Sequence, residues 1–94
     1  MQSIIQQTER CYLCNGKHNL ETHHIFFGNP GRRISDDNGF TVRLCADCHK
    51  WSKISPHRNR QTDLMLKEIC QAAYEKQGHS REEFINLIGR NYLD

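Results

Sequence analysis

Proline is scarce in this sequence, two residues in 94, and the chain has no low-complexity tract and no visible internal repeat. Those absences exclude a proline-rich linker and leave room for one compact domain spanning residues 1–94, with no second core. No uninterrupted apolar run reaches membrane-spanning length. The opening Met1-Gln2-Ser3-Ile4-Ile5-Gln6-Gln7 lacks the basic segment and apolar stretch of a secretory signal. The expectation is therefore a cytoplasmic protein without a membrane partner. Net charge is also small, +2, but it is unevenly spread. Residues 1–60 carry nine Lys/Arg against five Asp/Glu, and residues 61–94 carry four against six. A phosphate-binding face needs such a bias, and here it falls on the half that holds the motifs.

Cysteine is what the chain has in excess, five residues. A domain this small buries barely enough apolar surface to offset its conformational entropy, so it gains from a staple. In a reducing compartment that staple is a metal rather than a disulfide. Cys11-x-x-Cys14 and Cys45-x-x-Cys48 form two knuckles thirty residues apart. Asn15-Gly16 supplies a positive-φ turn behind the first. Two such pairs provide the four soft donors of a tetrahedral structural Zn²⁺ site. A thioredoxin-like redox pair would instead need a single CxxC opening a long helix in a βαβ pattern, which is absent. The odd Cys70 falls in a helical pattern and reads as core.

Around the knuckles the chain reads as α+β. Glu21 to Phe27 looks extended, and Asn29 to Gly39, full of turn residues, reads as a long surface loop. Phe40, Val42 and Leu44 alternate with Thr41 and Arg43 as in a half-buried strand closed by Cys45. A short helix is expected from Ala46 to Lys53, ahead of Pro56. Residues 62–89 read as a helical extension. One helix is capped by Thr62 and stopped by Gly78; a second opens on the capping box Ser80-Arg81-Glu82-Glu83 and ends near Gly89. Trp51 and Phe26 are expected in the core.

His23-His24-Ile25 lies between the knuckles, and His49 directly follows the second. Successive helical residues point about 100° apart, so Cys48 can face one metal while His49 faces elsewhere. On a regular strand His23 and His24 diverge, so their convergence requires the strand to end there. Four cysteines already fill a zinc shell, which leaves these histidines free for another task.

The order CxxC, HHI, CxxCH resembles the HNH (ββα-metal) endonucleases, in particular small HNH nucleases carried by phages and prophages. The resemblance covers Cys11 to His57 and extends more loosely to Leu93. It implies a zinc-stapled ββα-metal unit over residues 11–57, followed by two C-terminal helices. The activity it implies is metal-dependent hydrolysis of DNA phosphodiester bonds. By motif position, His24 would be the general base. His23 and His49 would hold one catalytic divalent ion (Mg²⁺, Mn²⁺, Ni²⁺ or Zn²⁺) that polarises the scissile phosphate and stabilises the departing 3′-oxygen. The family's further histidine, four residues after the helix histidine, is replaced here by Lys53, and His57 is the nearest substitute. The family's asparagine position holds Phe40; Asn38, two residues earlier, is the candidate to brace the loop bearing the base. Arg32, Arg33, Lys50 and Lys53 would contact DNA phosphates, with Arg43, Arg58 and Arg60 extending the track. Ninety-four residues contain no evident recognition helix, so specificity would come from DNA structure or a protein partner. The competing expectation is a non-catalytic, zinc-containing nucleic-acid-binding accessory module in phage recombination or packaging.

Overall fold

The computed structural model describes residues 1–94, and its centre is a two-stranded antiparallel sheet. Strand β1 (Leu20–His24) pairs with β2 (Thr41–Cys45), with His23 opposite Val42 and Leu20 opposite Cys45. Two strands alone leave their outer polar groups unpaired, and the N-terminal segment covers the free edge of β2. Gln6 accepts the Arg43 N–H at 2.7 Å and the Ser3 hydroxyl donates to the Thr41 carbonyl. The first knuckle is tied to the same edge, the Tyr12 N–H donating to the Arg43 carbonyl at 2.8 Å.

The segment between the strands departs from the expected surface loop. Gly31–Asn38 forms helix α1, closed by Gly39 at φ 73°, whose N–H donates to the Ser35 carbonyl. Of the turn residues that suggested a loop, Pro30 and Gly39 sit at its two ends, while Gly31, Ser35, Asp36, Asp37 and Asn38 lie within the helix itself. Ser35 is fully buried and ties the helix to the end of the histidine segment. Its hydroxyl donates to the Phe26 carbonyl at 2.8 Å and accepts the Phe26 N–H at 3.0 Å. A Cβ on Gly39 would stand 2.2 Å from the Gln2 carbonyl oxygen, so glycine is required there by both space and φ.

After β2 the expected helix over Ala46–Lys53 is shorter and wider. Asp47–Trp51 form one loose turn closed by the Ser52 N–H on the Asp47 carbonyl, a five-residue span. Helix α2 (Arg60–Lys76) begins three residues before the expected start. Asn59, not Thr62, caps it, its side chain accepting the Thr62 N–H at 3.1 Å. Helix α3 (Arg81–Ile88) opens with the reciprocal Ser80/Glu83 capping box and closes at Gly89.

An aromatic cluster joins the helices to the sheet. Phe40 and Phe84 are fully buried, and Phe26, Tyr74 and Tyr92 pack around them at centroid separations of 5.5 to 6.2 Å. Cys70 lies in this core with Leu66, while Trp51 does not: it is 69% exposed. Buried Gln71 fastens the C-terminal tail, donating to Asn91 and accepting the Tyr92 N–H, each at 2.7 Å. The result is a small α+β fold, and no helix is long and apolar enough to cross a membrane.

Candidate metal centres

The two metal-type clusters occupy the two ends of the β1/β2 hairpin. At the Leu20/Cys45 end, Cys11, Cys14, Cys45 and Cys48 bring their four sulfurs within 4.8 Å of one another. All four are free thiols. Cys14 and Cys45 Sγ are 3.7 Å apart, against about 3.8 Å expected between sulfurs that share a tetrahedral zinc at about 2.3 Å each. Each knuckle turns on itself. The Cys14 N–H donates to Cys11 Sγ and the Cys48 N–H to Cys45 Sγ, both at 3.4 Å. Asn15 takes φ 64° behind the first, so the asparagine of the Asn-Gly pair supplies the left-handed residue. Burial pushes the Cys11 thiol up, but the surrounding backbone N–H groups, that of Cys45 foremost, outweigh it and bring it down to about 6. Burial and the neighbouring thiols push Cys48 up. Four crowded thiolates repel one another strongly, and a divalent cation is the group that relieves them. The donor set fits one structural metal ion.

At the other end, His23, His49 and His57 converge, with one ring nitrogen from each lying within 4.8 Å of the others. His23 comes from β1, His49 from the wide turn and His57 from the loop before α2. The Nε2 atoms of His49 and His57 are 3.3 Å apart. His23 is 1% exposed, and its Nε2 is buried without any hydrogen-bond partner. A buried imidazole nitrogen with nothing to bond is costly unless a group such as a cation takes its lone pair. Burial, then the charges of His49 and His57, pull His23 down to about 3, so it is held neutral, the form that ligates. His57 is lowered for the same reasons, burial first and His49 next. These residues fit a second ion, bound by three nitrogens and open on the exposed His57 side.

Carboxylates that sequence reasoning passed over orient the rings. His49 donates from Nδ1 to Glu21 Oε1 at 2.7 Å, which leaves its Nε2 lone pair for the cluster. Glu21 is held ionised by that bond and by Lys50 at 3.2 Å. His24 is outside the three-histidine cluster. It stands at the last residue of β1 and donates from Nε2 to Asp36 Oδ1 of α1 at 2.7 Å, leaving Nδ1 as the accepting nitrogen. Asp36 sits in the segment read as loop, where no helical register pointed it at the strand. Glu21 could have been found by alternation along β1, being on the same face as His23.

Asn38 does not brace the histidine segment. Its side chain donates to the Ile34 carbonyl of its own helix at 2.9 Å, and the hydroxyl of Ser35 does the bracing instead. Arg32 and Arg33 line a shallow depression with Gly28, Asn29, Asp36 and Asp37, beside the carboxylate that holds His24. Lys53 is exposed, whereas Lys50 is engaged by Glu21. Behind the histidines, buried Asp63 accepts Lys67 Nζ at 2.9 Å on one oxygen and has no partner on the other. No family model matches the chain, and comparison with curated proteins and with solved structures gives no match either.

Proposed function

We propose that the protein is a metal-dependent phosphodiesterase of the HNH (ββα-metal) type, cleaving DNA, with the cysteine cluster holding Zn²⁺ as a staple. The observation that carries this reading is the division of labour among four histidines: three converge on one point and the fourth is held by a carboxylate. Nucleic-acid binding alone needs no orphaned imidazole nitrogen in a buried site.

Bound by His23, His49 and His57, a divalent ion supplies Lewis-acid polarisation of a phosphate oxygen and charge stabilisation for the departing oxygen. His24 would then serve as the general base. With its Nε2–H fixed on Asp36, the neutral ring presents Nδ1 to a water, and the Asp36 carboxylate stabilises the imidazolium formed as the proton arrives. Glu21 keeps His49 in the tautomer that ligates. Arg32 and Arg33, near Asp36, would meet the backbone of a bound strand.

The test is nicking of supercoiled plasmid by zinc-loaded protein with Mg²⁺, Mn²⁺ or Ni²⁺, beside His24→Ala of verified fold. The variant is expected to lose roughly 10²–10⁴-fold in rate. Wild type that binds DNA yet never nicks with any ion would instead support the accessory-module reading.

A further inference from the structure

Trp51 is the chain's only tryptophan and is 69% exposed; Phe27 is 47% exposed. Leaving an indole in water forgoes one of the largest apolar burials a side chain can offer, so the fold gains little from it. Its support is nevertheless firm. The Trp51 carbonyl accepts Arg58 Nη1 at 2.6 Å, and the Ser55 hydroxyl donates to the His49 carbonyl at 2.5 Å. The indole therefore projects from a pinned loop that also carries His49 and His57. Phe27 borders the same histidines, its ring centroid 5.0 Å from that of His57 and 6.2 Å from that of His23.

The charge around the indole narrows the ligand. From Cys48 to Thr62 the chain has Lys50, Lys53, Arg58 and Arg60 and not one Asp or Glu. Lys50 is paired with Glu21, while Lys53 and Arg60 are exposed and form no ion pair. An exposed π-surface on a segment that also carries unpaired cations fits a ligand that offers a flat aromatic face and negative charge together. A nucleic-acid strand does so only where a base is unstacked, because an intact duplex presents base edges and not base faces. An anionic lipid surface would call for a broader apolar face than Trp51 and Ile54 provide.

We infer that Trp51 is a base-stacking residue and that this face takes a nucleic-acid strand with at least one unpaired base, its phosphates met by Lys53 and Arg60. The inference deepens the phosphodiesterase reading and rests on it for the choice of ligand. It names single-stranded or bulged nucleic acid, and not uninterrupted duplex, as the preferred substrate class.

The experiment follows tryptophan emission and anisotropy as zinc-loaded protein, with no other divalent ion, meets three labelled DNAs: a single strand, its duplex, and that duplex with a one-nucleotide bulge. The two DNAs with unpaired bases are expected to bind more tightly than the duplex and to quench the indole. Trp51→Ala should weaken their binding roughly tenfold while leaving duplex binding and zinc content unchanged. Trp51→Phe should keep most of the affinity, and Lys53→Gln should weaken all three DNAs alike. Unchanged binding of the unpaired DNAs by Trp51→Ala, equal binding of duplex without quenching, or binding of anionic phospholipid vesicles but of no DNA would each overturn the inference. Trp51-dependent binding without nicking when ions are added would keep the inference and sink the hydrolytic reading. Nicking that ignores Trp51 would do the reverse.

Discussion

The two ends of one hairpin carry two clusters with the same number of elements behind them and opposite chemistry. The cysteine end offers four soft donors on two tight knuckles, the first sulfur of each steadied by the backbone N–H of the second, with no place left for another ligand. The histidine end offers three nitrogens from a strand, a turn and a loop, one of them buried and unpartnered and one facing solvent. Coordination number separates the two ends: a four-sulfur shell leaves a bound metal no open position, whereas a three-nitrogen shell leaves one. The knuckle Cys45-x-x-Cys48 with His49 joins them, so anchoring one end sets the position of the other.

The largest effect is expected from removing one donor at the closed end. Cys48→Ser should release the structural ion and leave the chain largely unfolded, since such an ion contributes about 10 kcal/mol or more to a small domain. Cys70→Ser, equally buried but outside the cluster, should cost only about 1–3 kcal/mol and keep the metal. Circular dichroism with metal analysis checks both; a folded, metal-loaded Cys48→Ser would mean that the cysteine end is not the staple.

A second effect belongs to the open end and concerns pH. His23 is held near 3, below the ordinary 6.5. The unfolded chain therefore takes up a proton that the folded site refuses. The contribution is fully present above about pH 6.5 and is lost as pH falls from there toward about 3, a span that can amount to a few kcal/mol. Urea denaturation between pH 7.5 and 5 should show stability falling with acid in wild type and a shallower fall in His23→Asn. Parallel curves would show that His23 does not set the acid sensitivity.

The smallest effect is Glu21→Gln, which keeps the shape of the residue and removes the charge that orients His49. Affinity of the histidine end for Mn²⁺ should fall 10–100-fold, while zinc content stays unchanged. Titration calorimetry reads this directly, and an unaltered affinity would show that Glu21 serves only Lys50.

The knuckle spacing and the histidine order were legible in the sequence because metal donors recur at short, fixed intervals that survive without knowledge of the fold. Alternation placed β2, and the Ser80/Glu83 pair placed the start of α3, because both depend on neighbours in sequence. Helix α1 was hidden by its composition: Pro30 and Gly39 cap it, turn-type residues fill it, and Ile34 alone gives it no apolar period to read. Asp36 and Ser35 went unseen for the same reason, since each acts across the gap between α1 and the end of β1. Trp51 was misplaced because an indole is normally core, and nothing local says that the turn bearing it widens and points it outward.

The most direct test of the central claim is to follow plasmid nicking while zinc-loaded protein is titrated with Mn²⁺, in wild type and in His49→Ala. Nicking should rise as one further ion binds per chain, and His49→Ala should lose both the ion and the nicking while retaining its zinc and its fold. Nicking that persists in His49→Ala, or a further ion bound by wild type with no cleavage under Mn²⁺, Mg²⁺ or Ni²⁺, would contradict it.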